Sequence, residues 1–415
     1  MEKPNFAELS ESFRAELRSV ISFWLKHGVD SEFGGVLTSL GRDGQVIDTD
    51  KSVWFQGRAG WMFATLITEL PEDYAANEAL RAAAISCVTF LRQHCRCKET
   101  GKYYFSVTRD GKPLRMRRYV YSESFAAIAF AAVYRITGDD SYKRDAIEAF
   151  ELYLKYSFEP GVMQPKFEST RPMRGAGPLM IAIVTAQELR ACLSSKTDGE
   201  ISVQGKSCTA WIASWVDEIE RYFVKPDIRC FMEAVGIDGS IQNHADGRTL
   251  NPGHAIECAW FLLAEATMKA DVEASRLRTI GLSIIDWMWE RGWDKEHGGL
   301  LYFVDVYGLP VQEYWHDMKF WWNHCEVIIA TLMAYQQTGD PQQLGKFLTV
   351  KQYTFDHFPD REFGEWFGYL HRDGTVSQPA KGNMFKGPFH IPRMLMICSK
   401  VCAELSARDD NGRTS

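Results

Sequence analysis

Residues 33–46 read FGGVLTSLGRDGQV and residues 363–376 read FGEWFGYLHRDGTV. In each, a glycine-led apolar run meets Arg-Asp-Gly and then a second short run. That is the signature of two strands joined by a tight turn, with Gly where the backbone needs a positive φ. The same design returns as GKYYFSVTRDGKPL from Gly101, CFMEAVGIDGSI from Cys230 and HGGLLYFVDVYGLPV from His297. Gly34 to Gly101 spans 67 residues, Cys230 to Gly298 spans 68 and Gly298 to Gly364 spans 66, whereas Gly101 to Cys230 spans 129. The double gap predicts a hairpin near Gly161, where GVMQPKFEST is a degenerate copy, and hence six units.

Between the hairpins, apolar residues recur at helical spacing. The pattern predicts paired helices over 54–70 and 78–91, 122–136 and 141–156, 253–268 and 272–289, and 318–337 and 341–358. A single helix is predicted at each end, over 6–26 and 390–405. These helices are apolar on more than one face, as helices buried between layers are. A lone helix at each end lets the first and last units meet. The expectation is an all-α (α/α)6 barrel whose inner ring is the helix after each hairpin. An open solenoid with polar end caps is the alternative. No linker or charge run divides the chain, so residues 1–415 are expected to form one domain. Gly175-Ala176-Gly177-Pro178 reads as a turn.

Composition narrows the function. Hydrophobic residues make up 46% and charged residues 24%, as in ordinary globular proteins. A net charge of -7 argues against a nucleic-acid binder, which carries a basic face. The start, MEKPNFAELSESF, lacks a signal-peptide core, and no run of 18 apolar residues exists. A cytoplasmic protein that crosses no membrane is expected. The ten cysteines are scattered, and Cys95 and Cys97 form a close pair with no matching pair for zinc. Free, mostly buried thiols in a reducing compartment are expected.

In a closed ring the loops meet the N-terminal ends of the inner helices, where free N–H groups and partial positive charge gather. Gln56 and Arg58 (VWFQGR), Ser122 and Glu123 (YVYSESF), His254 and Glu257 (NPGHAIE), Lys319 to Glu326 (KFWWNHCE) and His390 with Arg393 (FKGPFHIPR) stand there. His254 and Glu257 are three apart and share a helical face, which makes Glu257 the expected orienting partner. A lone histidine on an apolar helix is usually a satisfied core group, but a helix start favours chemistry. Trp321 and Trp322 are either core or a platform for the C–H face of a sugar. His324 and Glu326 are two apart, so a regular helix aims at most one of them at a substrate. Pro392 marks His390 as a helix start. Arg58, set among Trp54, Phe55 and Trp61, is either structurally paired or aimed at a ligand, and Glu123 is open in the same way. The histidines come from separate units with no HxxxH or HxH pair, so no metal is expected. No GxxxxGK[ST] or GxGxxG occurs.

FGGVLTSLGRDGQV with KSVWFQGR, NPGHAIE with AWFLL, MKFWWNHCE, and FGEWFGYLHRDG with FKGPFHIPR together resemble the N-acylglucosamine 2-epimerase family, also known as renin-binding protein. The likeness runs from near residue 10 to near residue 405. It implies the (α/α)6 barrel, a homodimer, and interconversion of N-acetylglucosamine and N-acetylmannosamine in amino sugar and sialic acid metabolism. It also implies ATP as an activator that is not consumed. By motif it makes His254 and His390 the acid/base pair and Arg58, Glu326 and Arg393 substrate contacts, with Glu257 and Glu233 as supporting carboxylates. Cellobiose 2-epimerases and related mannose-type isomerases share the barrel and the histidines, but are more remote in these strings. The 157–178 stretch departs most from the family pattern, so substrate choice is less fixed than reaction type.

Epimerisation at C2 needs an open-chain aldehyde, loss of the C2 proton to an enediolate, and return of a proton to the other face. Histidine suits both roles because its pKa lies near neutrality. Two other classes stay open. A glycoside hydrolase needs two carboxylates across the site, and Glu123, Glu257 and Glu326 supply candidates. A renin-binding-type interaction protein would need a docking surface, which nothing in the sequence marks.

Overall fold

The computed structural model describes residues 3–117, 119–194 and 199–413. It is mostly helical. The helices are α1 (Phe6–His27), α2 (Val53–Glu69), α3 (Pro71–Tyr74), α4 (Glu78–His94), α5 (Tyr121–Thr137), α6 (Asp140–Phe158) and α7 (Gly177–Leu193). They continue with α8 (Cys208–Tyr222), α9 (Ala245–Arg248), α10 (Pro252–Ala266), α11 (Asp271–Gly292), α12 (Trp321–Thr338), α13 (Pro341–His357) and α14 (His390–Arg413).

Local chemistry explains the boundaries. Asn5, Ser52, Asn77, Asp139, Ser207, Asn251 and Asp340 each cap a helix start with a side-chain oxygen. Gly138 and Gly339, both left-handed, end α5 and α12. Gly175-Ala176-Gly177-Pro178 is not a free turn. It carries the chain from a strand into α7, with Pro178 in the first turn. The predicted helix from 318 begins later, because Lys319–Phe320 is a strand.

Two kinds of helix result. α2, α5, α10 and α12 are buried on nearly every side, whereas α1, α4 and α8 bury one face. Each inner helix packs on one outer helix: α2 on α4, α5 on α6, α7 on α8, α10 on α11, α12 on α13 and α14 on α1. The inner helices also touch in sequence, α2 to α5, α7, α10, α12 and α14, and α14 touches α2 again. Gly57 marks how tightly they approach, since a Cβ there would lie 2.7 Å from the backbone of Phe125.

The strands correct the hairpin reading. Ser39–Leu40 pairs with Val46–Asp48, Ser106–Val107 with Pro113–Arg115, and Tyr369–Leu370 with Val376–Gln378, as the repeats predict. CFMEAVGIDGSI turns back at Asp238-Gly239, where the Gly236 N–H donates to the Ser240 carbonyl at 2.8 Å, but it forms no second strand, and in HGGLLYFVDVYGLPV Gly308 closes only a turn onto Asp305. Ala234–Gly236 pairs with Met173–Gly175, and Val304–Asp305 pairs with Thr249–Leu250. The reason is a shared rule. The strand before an inner helix captures the hairpin of the next unit, as Lys51–Ser52 does with Ser106–Val107 and Lys319–Phe320 with Tyr369–Leu370. A bridge from Leu40 to Gly382 carries the rule from the last unit to the first. The hairpin expected near Gly161 does not form. Residues 159–172 hold turns and bends with no strand.

Ion pairs follow the same path. Arg109 of the second unit makes a two-point contact with Asp30 of the first, at 3.0 and 2.9 Å. Arg372 of the sixth reaches Asp294 of the fifth, and Arg42 of the first reaches Asp360 of the sixth at 2.7 and 3.0 Å. Each aspartate also takes a fully buried lysine, Lys51, Lys319 or Lys381, at 2.8 to 2.9 Å. All ten cysteines are free and eight are buried, as expected. Among the described residues, no helix is long and apolar enough to cross a membrane.

Candidate active site

Helix starts place the site. Asn251 accepts the His254 N–H at 3.1 Å, and Pro252 sets the first turn of α10, so His254 projects from the rim of the ring. α10 and α12 meet closely beside it: a Cβ on Gly253 would lie 2.6 Å from Asn323 and 3.0 Å from Trp322. The His254 ring therefore packs on Trp322, 4.9 Å between centroids. His390 opens α14, and its ring lies 6.0 Å from Trp322 and 6.2 Å from Trp321. Trp322 thus stands between the two imidazoles.

Each imidazole is held through Nδ1 by a carboxylate. His254 Nδ1 lies 3.1 and 3.2 Å from the two oxygens of Glu233, and His390 Nδ1 lies 2.8 Å from Glu326 Oε1. Nδ1 donates in each case, which leaves both Nε2 atoms free for other chemistry. Glu326 Oε2 accepts from Trp260 Nε1 at 2.7 Å. Arg393 Nη2 donates to Glu257 Oε1 at 2.8 Å and to Glu326 Oε1 at 2.7 Å. The expected pairing of His254 with Glu257 is therefore corrected. Glu257 shares the face of His254, but the Arg393 guanidinium takes it, and Glu233 from a separate loop orients His254.

These environments push the two histidines apart. Burial works to lower the pKa of His254, but the charge and hydrogen bond of Glu233, with Glu257, outweigh it and raise it. Burial, with the Arg393 and Arg58 guanidinium groups, holds His390 well below the usual histidine value. One imidazole favours the protonated form and the other the neutral form. Arg58 is half-buried on the cavity wall, and burial brings its pKa down to about 9. Its cation lies 4.2 Å from the Phe125 ring, it donates to the Phe385 carbonyl at 3.1 Å, and among the described residues it pairs with no carboxylate. The Nε atoms of Arg58 and Arg393 and the Trp321 Nε1 find no partner among the described residues.

Other candidates stand elsewhere. His324 is a core group: its Nε2 accepts the Leu300 N–H at 3.0 Å, its Nδ1 donates to the Phe320 carbonyl at 2.7 Å, and burial brings its pKa down to about 3. Glu123 accepts the Tyr103 N–H at 2.8 Å, and burial pushes it up to about 7. Gln56 holds Val36 by both its N–H and its carbonyl. The three do one job, fastening an inner helix to the loop that starts its unit. Ser122 donates to the Tyr104 carbonyl.

A cavity of about 1360 Å³ opens above this cluster. His254, His390, Arg58, Glu257, Trp322 and Arg393 line it, as does Trp321. Glu233 and Glu326 stand behind the imidazoles and outside that lining. Sequence reasoning did not assign the aromatic wall, of which Trp54, Tyr121, Tyr302 and Tyr369 are part, or the Trp260 donor. Trp260 lies three residues after Glu257, and that shared helical face was the available signal. Glu257, Glu326 and His390 offer donor atoms within 4.8 Å of one another, the spacing of a metal site. The Arg393 guanidinium already binds both of those carboxylates.

Two carboxylate-held imidazoles, one with its pKa raised and one with its pKa lowered, thus face one cavity. Residues 35–386 match the profile of the N-acylglucosamine 2-epimerase (GlcNAc 2-epimerase) family. The chain is 38% identical to the N-acylglucosamine 2-epimerase of Bos taurus over 95% of its own length and 91% of the relative. With the Homo sapiens enzyme of that name it is 36% identical, over 98% and 93%. The solved cellobiose 2-epimerase of Spirochaeta thermophila shares the fold at a TM-score of 0.80 and 20% identity, covering 97% of this chain and 98% of that one. The chain belongs to the N-acylglucosamine 2-epimerase family.

Proposed function

We propose that the protein interconverts N-acetyl-D-glucosamine and N-acetyl-D-mannosamine by two-base proton transfer at C2. The observation that carries this reading is the divergence of His254 and His390 across one cavity. Neutral His390 takes the C2 proton through Nε2, and the C–H electron pair passes into an enediolate. Protonated His254 gives its Nε2 proton to the opposite face. The reverse reaction starts from the inverted pair, so both directions use the same total protonation. Arg58 and Arg393 face the charge that develops on O1 and O2, and desolvated cations are effective there. Trp322 serves as the platform for the sugar chain between the bases.

The family and the named relatives support the acetylated substrate. Cellobiose or mannose is the second sugar class to test. The hydrolase reading loses its free carboxylates: Glu257 and Glu326 are bound by Arg393, and Glu123 by a backbone N–H. The inner and outer helix contacts, which run from α2 round to α14 and back, support an (α/α)6 barrel in a single domain. No metal and no consumed cofactor enter this mechanism. ATP as an activator, a homodimer and a cytoplasmic site complete the proposal. The test is incubation of chelator-dialysed protein with N-acetylglucosamine, mannose or cellobiose at equal concentration in D2O. Proton NMR should show N-acetylmannosamine with deuterium at C2, faster than either free sugar turns over. Faster turnover of a free sugar would overturn the substrate assignment, and loss of activity on chelation would overturn the mechanism.

A further inference from the structure

The cavity does not stop at the catalytic layer. It runs down between the inner helices to their C-terminal ends, where Glu69, Arg135, Gln336 and Lys400 line it. Below the histidines, several positions that face the axis are small: Thr65 and Thr68 on α2, Ala132 on α5 and Ala191 on α7. Larger apolar side chains there would plug the ring at ordinary packing density. An empty apolar void costs stability, whereas a void with polar walls fills with water. The walls here mix apolar side chains such as Ile128, Val184 and Met396 with Thr65, Thr68 and the Glu188 carboxyl. Glu188 Oε2 accepts from Trp61 Nε1 at 2.8 Å, and its other oxygen bonds nothing among the described residues. Burial raises its pKa, against the Trp61 hydrogen bond and the Arg393 charge. Trp61 packs on Phe389, the neighbour of His390, at 5.3 Å. Glu188 therefore sits beneath the catalytic layer and above the Glu69–Arg135 pair, which closes at 2.7 Å.

The two bases differ in access to water. The His254 side chain is 37% exposed, toward the funnel, and that of His390 is 10% exposed. In the two-base reading, a sugar seated over Trp322, whose ring lies 6.0 Å from that of His390, would cover His390 from the funnel side. We propose that the lower chamber is a water-filled proton path that connects His390 to solvent at the far end of the ring, with Glu188 as its relay. The inference rests on the two-base reading. When the C2–H bond breaks, the proton moves to His390 Nε2 and the electron pair stays in the enediolate. The imidazolium passes that proton to chamber water. The Glu188 carboxylate takes it up and releases it to water beside Glu69 and Arg135, which returns both groups to their starting forms.

C2-deuterated substrate in ordinary water tests this. Both C2-deuterated epimers are incubated separately, and the label lost from unreacted substrate is divided by product formed. In the wild type, the epimer served by His390 should lose label, because its deuteron escapes before return. In Glu188→Gln and in Ala132→Leu that ratio should fall several-fold for this one epimer and stay unchanged for the other. Glu188→Gln conserves shape, so it decides the matter if Ala132→Leu fails to fold. An unchanged ratio in a folded variant, or an equal fall for both epimers, would overturn the path. Absence of any N-acetylmannosamine from the wild type would instead overturn the proposed function.

Discussion

Glu326 Oε1 lies 2.8 Å from His390 Nδ1 and 2.7 Å from Arg393 Nη2, so one carboxylate oxygen serves an imidazole and a guanidinium at once. The carboxylate fixes the Nδ1–H tautomer and frees Nε2, while the guanidinium offsets the charge that would otherwise raise the imidazole. Glu326→Gln keeps the shape and loses the charge. Steady-state kinetics should show kcat reduced by about 10²- to 10⁴-fold with a small change in KM, the range for misoriented general bases. A change confined to KM would make Glu326 a substrate contact instead.

The rate should follow a bell-shaped pH profile. The working pair carries one proton. The acid limb lies below the ordinary histidine value, because burial and two guanidinium groups hold His390 down. The alkaline limb lies above it, because Glu233 outweighs burial at His254. In Glu233→Gln the main raising influence is gone, and the alkaline limb should move toward lower pH while the acid limb stays. Profiles of kcat/KM for both proteins check this.

His324 separates structure from chemistry. Its two hydrogen bonds go to backbone, and Gln56 of the first unit accepts the Val36 N–H as His324 accepts that of Leu300. His324→Gln should therefore retain turnover within a few-fold, whereas His390→Gln should not. Parallel assays with circular dichroism as a folding control decide the point.

The rim residues and the unit length are legible in the sequence because capping and turn chemistry are local. Pro252 and Pro392 mark helix starts wherever the chain goes. The segments from Cys230 and Gly298 keep a turn but lack a second strand, and their partners Met173–Gly175 and Thr249–Leu250 lie in the preceding unit, where pairing at long range leaves no local trace. α7 and α8 were not delimited, since no strand or turn repeat precedes them in 159–172. The pairing of Glu257 with Arg393 across 136 residues was hidden for the same reason. Spacing shows which residues share a face, and only the packed ring decides which of them meet.

Closure of the ring makes its own prediction. Asp360 is buried and takes both Arg42 and Lys381. Burial works to raise its pKa, but the two cations hold it below the usual carboxylate range. Stability from such a group is complete above the unfolded value near about 4 and is lost as pH falls through the folded value. Asp30 and Asp294 share this behaviour, so the unfolding temperature should drop steeply below about pH 4. Asp360→Asn leaves Lys381 buried without its carboxylate and should cost about 3–5 kcal/mol by denaturant unfolding at neutral pH.

The two-base assignment itself is tested by hydrogen exchange in single-histidine variants. His254→Asn and His390→Asn are each incubated with N-acetylglucosamine and, separately, with N-acetylmannosamine in D2O. Deuterium at C2 is then followed by NMR. Each variant should lose net epimerisation by about 10²- to 10⁴-fold. Each should still exchange the C2 hydrogen of one epimer, the one whose proton faces the remaining base, and the two variants should differ in which epimer exchanges. Equal exchange of both epimers in both variants, or near-normal turnover in either, would contradict the assignment of His254 and His390 to opposite faces of C2.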